Sequence, residues 1–180
     1  SLALSNSKVA LTVTGNNVTI TNNGTLAQTG TGRAIRVNSA TDVTGLVVTN
    51  NGTITTADAD VIQITSSSSS ATPTFGAVVH NYGTMTSFNA TAGGSQVVDF
   101  AGITSGSNII NNHAGATMLA YDADAVRPGA NGVVYNAGTI RSLRANTPLA
   151  TLSADGIDLQ ANSGVSITNA ATGLVDGARH

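Results

Sequence analysis

The chain has no cysteine, no tryptophan and no glutamate, and only one lysine, Lys8, among its 180 residues. Without cysteine there is no disulfide framework, no thiol nucleophile and no thiolate metal site. That zero fits any compartment, and it suits a chain that must stay unfolded while it crosses an envelope. All nine acidic residues are aspartate, and charged residues make up 9% of the chain with a net charge of -2. No basic field exists to attract nucleic acid or an anionic lipid surface. Aromatics amount to 3%, and straight-chain helix formers are scarce. There is no apolar run long enough to span a membrane, and the opening "SLALSNSKVA" lacks the basic-plus-apolar pattern of a signal peptide. A secreted form would have lost its signal or carry it outside this stretch.

What remains is Val, Ile and Thr set between Gly, Asn, Asp and Ser, with 20 glycines in all. β-branched residues fit a pleated surface and the others make turns, so the composition reads as all-β. With 41% hydrophobic residues in patterned clusters, the chain buries enough surface to fold rather than remain a solvated linker.

One short motif keeps returning: "ITNNGTL" (20–26), "VTNNGTI" (48–54), "VHNYGTM" (79–85), "INNHAGATM" (110–118), "VYNAGTI" (134–140) and "ITNAATGLV" (167–175). Its anchors are Asn22, Asn50, Asn81, Asn112, Asn136 and Asn169, separated by 28, 31, 31, 24 and 33 residues. An even core motif at uneven spacing is what a solenoid with variable loops produces. A propeller blade needs about 40 residues and more aromatics. A second motif lies between the anchors: "AIRV" (34–37), "VIQI" (61–64), "VVDF" (97–100), "AVRP" (125–128) and "GIDL" (156–159). Alternation sends Ile35, Val37, Ile62, Ile64, Val98, Phe100, Val126, Ile157 and Leu159 inward, and Arg36, Gln63, Asp99, Arg127 and Asp158 outward. Each turn then holds at least two strands, with "GTI" starting a third. Six turns stacked at about 4.8 Å make a rod roughly 29 Å long.

The pattern predicts a parallel β-helix of about six turns, with variable loops and no α-helical domain, running through residues 1–180 as one segment. The same alternation turns each anchor Asn inward at a strand end, where amides from successive turns bond to one another and to corner backbone. The Gly after it is expected to supply the positive φ of the corner. The NGT triplets at Asn23 and Asn51 match a glycosylation sequon but read as by-products of this corner.

The repeated N-x-G-T-I, together with "DGIDL" (155–159) and "DGARH" (176–180), resembles the passenger region of Gram-negative autotransporters, over essentially the whole chain from about Val18. The resemblance implies a right-handed parallel β-helix poor in Cys and Lys, secreted and displayed on the bacterial surface. It implies a segment cut from a longer passenger, joined to the outer membrane only through a translocator barrel that this chain lacks. Members of that family are adhesins or self-association factors, and some carry a protease or esterase. The implied partners are a second copy, a host molecule or a glycan. No G-x-S-x-G occurs, and no catalytic residue, metal site or cofactor is assigned.

Three further groups invite chemistry. The D-A-D triplets within "ADAD" (57–60) and "YDADA" (121–125) could bind Ca²⁺ or act on an acidic polysaccharide, but they sit in non-adjacent turns and read as turn aspartates bonding their own backbone two residues on. The outward ladder Arg36–Gln63–Asp99–Arg127–Asp158 sets opposite charges side by side, worth about 0.2–1 kcal/mol per cross-strand pair. Asp99, Arg127 and Asp158 are also the residues a polysaccharide lyase or hydrolase would need, the alternative to a binding role. His80, His113 and His180 show no local ligand spacing for zinc.

The outer side of the anchor strands is the most informative surface. Val47, Val78, Ile109 and Val133 point outward there, beside Thr49, His80, Asn111 and Tyr135. An aliphatic stripe on the outside of a rod calls for a cover, either a partner or a loop such as 66–76 with Phe75.

Overall fold

The computed structural model describes residues 1–37, 43–64, 74–91, 93–143 and 154–178. Among them there is no helix, and nearly every strand belongs to one of three parallel sheets. The asparagine sheet holds Thr19–Asn22, Val47–Asn50, Val78–Asn81, Ile109–Asn112, Val133–Asn136 and Ser166–Asn169. The threonine sheet follows each of these strands across a tight corner, with Thr25–Gln28, Thr53–Thr56, Thr84–Ser87, Thr117–Tyr121, Thr139–Leu143 and Leu174–Asp176, and has Leu2–Leu4 at its far edge. The valine–isoleucine sheet runs through Leu11–Val13, Ile35–Val37, Ile62–Ile64, Val98–Asp99 and Val126–Arg127, and ends in a single bridge from Val126 to Ile157. Thr74–Phe75 and Ser105–Gly106 form a small separate pair.

Each strand pairs only with its equivalents in the turns before and after, in unbroken register. Successive visits to the three sheets therefore wind the chain six times around one core, the parallel β-helix expected from the repeat. The winding makes rows of like residues. Ile20, Val48, Val79, Ile110, Val134 and Ile167 form one inward row, and Leu26, Ile54, Met85, Met118, Ile140 and Val175 another. In the middle turns these side chains are wholly buried, and Phe100 fills the core beside them. A strand buried against its own copies needs no alternation of chemistry along the rod, only the same apolar type at each level.

Three expectations need correcting. The corner glycine does not supply a positive φ: Gly52, Gly83 and Gly138 all lie outside that region, and only the inserted fourth corner uses it, at Gly115 (φ 78°). The corners instead stack backbone on backbone, with Asn51 N donating to Asn22 O at 2.8 Å and Tyr82 N to Asn50 O at 2.8 Å. A Cβ on Gly52 would strike the carbonyl of Gly24, and one on Gly83 that of Gly52. Gln63 does not face solvent: it is buried at 7% exposure, between the long side chains of Arg36 and the Asp99 strand with which it is in register. Leu159 is not core, at 38% exposure, because the third sheet stops at Ile157 and the chain turns at Gln160 (φ 53°), so strand alternation no longer applies.

Candidate functional site

The anchor asparagines form one continuous column. Asn22 Nδ2 donates to Asn50 Oδ1 at 2.8 Å, Asn50 to Asn81 at 2.9 Å, Asn81 to Asn112 at 2.9 Å, Asn112 to Asn136 at 2.8 Å and Asn136 to Asn169 at 2.8 Å. The second amide hydrogen of each goes to backbone of the following turn, as from Asn81 to Thr117 O at 3.0 Å. Asn50, Asn81, Asn112 and Asn136 are fully buried, Asn22 is half-buried and Asn169 exposed. These amides spend both donors inside the stack, so the column is not a ligand surface.

A second inward polar row, on the threonine sheet, escaped the sequence reading. Thr56, Ser87 and Ser142 lie three residues after the motif threonine and are buried. Ser87 Oγ donates to Ala59 O at 3.1 Å, Thr56 Oγ1 donates to the same carbonyl, and Ser142 Oγ to Ala123 O. The signal was present as a fixed offset from the motif.

Three of the four triplet aspartates bond across to another turn. Asp58 accepts from Thr91 N at 2.7 Å and Asp60 from Gln96 N at 2.8 Å, while Asp124 accepts from Asp155 N at 2.9 Å. Each holds the start of the next turn in place. Arg33 reaches Asp60 at 3.1 Å, yet burial, with the Asp99 charge adding to it, pushes the Asp60 carboxyl above its ordinary range. Burial likewise raises Asp124 against the pull of the Asp155 N–H and Arg127. Partial burial acts the same way on Asp158, but there the Gln160 N–H and its other hydrogen bonds prevail and hold it below the ordinary value.

The outward ladder is in register from Arg36 through Gln63 and Asp99 to Arg127. Arg127, however, turns away from Asp99 to Asp124 of its own turn, with two contacts at 2.7 and 3.0 Å, and stands 4.0 Å from Asp158. Gln63 Nε2 takes Asp99 as partner at 3.3 Å. Carboxylate oxygens of Asp124, Asp155 and Asp158 come within 4.8 Å of one another, and the Arg127 guanidinium bonds the first of them and stands near the third. Neither of two surface hollows, one lined by Leu11, Ile20 and Leu26 and one by Ala57, Phe88, Ala90 and Tyr121, touches Asp99, Arg127 or Asp158.

The outer face of the asparagine sheet carries two rows. Val47, Val78, Ile109 and Val133 stack in one, and Thr49, His80, Asn111 and Tyr135 in the other. None of the eight is fully buried, and Val133 and Tyr135 are exposed at 37% and 39%. The loop suggested as their cover lies largely outside the described residues, at 65–73, as does His180. Beside these rows, His113 and Tyr82 from adjacent corners stack with ring centroids 3.8 Å apart and planes 9° from parallel, and His80 joins them. Tyr82 is the most exposed of the larger side chains in the middle turns, at 51%.

Three parallel sheets wound on one core make this chain a parallel β-helix solenoid. No family model matches it, and no curated protein or solved structure matches it either.

Proposed function

We propose that this chain is an interaction segment of a surface-displayed β-helix, an adhesive or self-association part of an autotransporter passenger. The observation that carries the reading is the outer face of the asparagine sheet. Its aliphatic and Thr–His–Asn–Tyr rows run side by side along the middle turns, and none of their members is fully buried. Side chains repeated at each level let many weak contacts add along a rod, which favours a long partner or a second copy over a small substrate. A polysaccharide-degrading site would need an open groove over Asp99, Arg127 and Asp158. Instead Arg127 is engaged by Asp124, and neither of the two hollows described above reaches these residues. The absence of glutamate and the single lysine fit the contact reading as well.

Sedimentation over a wide concentration range tests it. The reading predicts reversible dimers that Thr49→Asp and Tyr135→Asp each weaken, because a carboxylate is set into an apolar contact. A monomer at every concentration that also fails to bind cells or glycan arrays would overturn it.

A further inference from the structure

His80 and His113 lie 33 residues apart in sequence, yet winding places them one turn apart on the outer surface. His80 Nδ1 and His113 Nε2 are 3.4 Å from each other, and the Asn111 side-chain amide lies 3.3 Å from the same His80 nitrogen. We propose that His80 and His113, with Asn111 beside them, form a binding site for a divalent transition-metal ion of the zinc or copper class.

The spacing is the first argument. Two nitrogens bound at about 2.0–2.1 Å to one tetrahedral ion stand about 3.3–3.4 Å apart, so the pair already spans the edge such an ion requires. Donor type is the second, because imidazole suits zinc, copper and nickel while carboxylate and carbonyl sites suit magnesium and calcium. Orientation is the third. The Tyr82 ring lies flat on His113 and fixes its plane, the outer support that a ligating ring needs. Asn111 offers an amide oxygen on rotation of its side chain, and both rings are partly open to solvent, which leaves the other positions to water.

His80 and Asn111 belong to the same Thr–His–Asn–Tyr row, next to Thr49 and Tyr135, so the two readings are told apart by their readouts: ion binding by the monomer here, self-association without added metal there. The experiment is titration of the whole chain with Zn²⁺ and with Cu²⁺ in a non-chelating buffer, followed by calorimetry and by electron paramagnetic resonance of the copper form. The expected result is one ion per chain with two-nitrogen coupling. His80→Ala and His113→Ala should each weaken binding by at least about tenfold, the scale known for supporting residues around metals. His180→Ala should leave it unchanged. Paramagnetic broadening in the wild type, which needs no variant to fold, should centre on residues 80, 111 and 113. No binding, binding that survives both single variants, or broadening centred elsewhere would overturn the proposal.

Discussion

Asn81 occupies the middle of the amide column, and its neighbours depend on it in both directions. Replacing it with Ala deprives Asn50 Nδ2 of an acceptor and deprives Asn112 Oδ1 and Thr117 O of a donor, the two asparagine groups being fully buried. Leaving such groups unmatched costs about 1–3 kcal/mol each before relaxation, so N81A should lose roughly 2–4 kcal/mol in urea unfolding. Asn22, half-buried at the first turn, is within reach of water, and N22A should lose only about 1 kcal/mol. The glycines give a second graded test. In Gly83→Ala the new methyl meets the Gly52 carbonyl, and about 1–3 kcal/mol should be lost, whereas Gly24→Ala meets nothing within 4 Å and should stay within about 0.5 kcal/mol of wild type. The inward asparagines were legible in sequence because strand alternation fixes their side. The role of the glycine was not, because a positive φ and a close backbone approach both exclude a Cβ, and only geometry separates them.

On the scale of the strand, the valine–isoleucine sheet shows where register stops deciding. Its order of rungs could be read from the second motif, but the partner of Arg127 could not. Cross-strand placement offered Asp99, yet the two-pronged contact with Asp124, three residues back, holds the guanidinium. A planar fork gains more from two hydrogen bonds to one carboxylate than from a single facing charge. In Arg127→Met, Asp124 would be left wholly buried beside Asp158 with its cation gone. About 3–5 kcal/mol should be lost at neutral pH, the range for breaking a buried pair from one side. Burial already raises the Asp124 pKa, so the folded state holds a proton there more tightly than the unfolded chain does. The deficit of R127M should therefore shrink as pH falls toward the carboxylate range, and unfolding midpoints across that range would check it.

Across the whole molecule, contacts join residues about thirty apart, because each turn touches only the turns before and after it. That makes the fold the most legible property of this chain: the motif spacing, the apolar rows and the six turns all follow from one repeated pattern. It also explains what was missed. Ligand spacing sought within a few residues overlooks His80 and His113, which meet only through winding, and the same is true of the Asp60 and Asp124 contacts to the start of the next turn. In a solenoid the neighbour of a residue is its equivalent one repeat away.

The repeated asparagine is therefore architectural, and hydrogen exchange of its side-chain amides, followed by nitrogen-15 NMR, tests that most directly. The NH₂ groups of Asn50, Asn81, Asn112 and Asn136 are buried and bonded along the column, and should exchange far more slowly than that of exposed Asn23. If all four exchange as fast as Asn23, the amides do not hold the stack together and the account of the repeat is wrong.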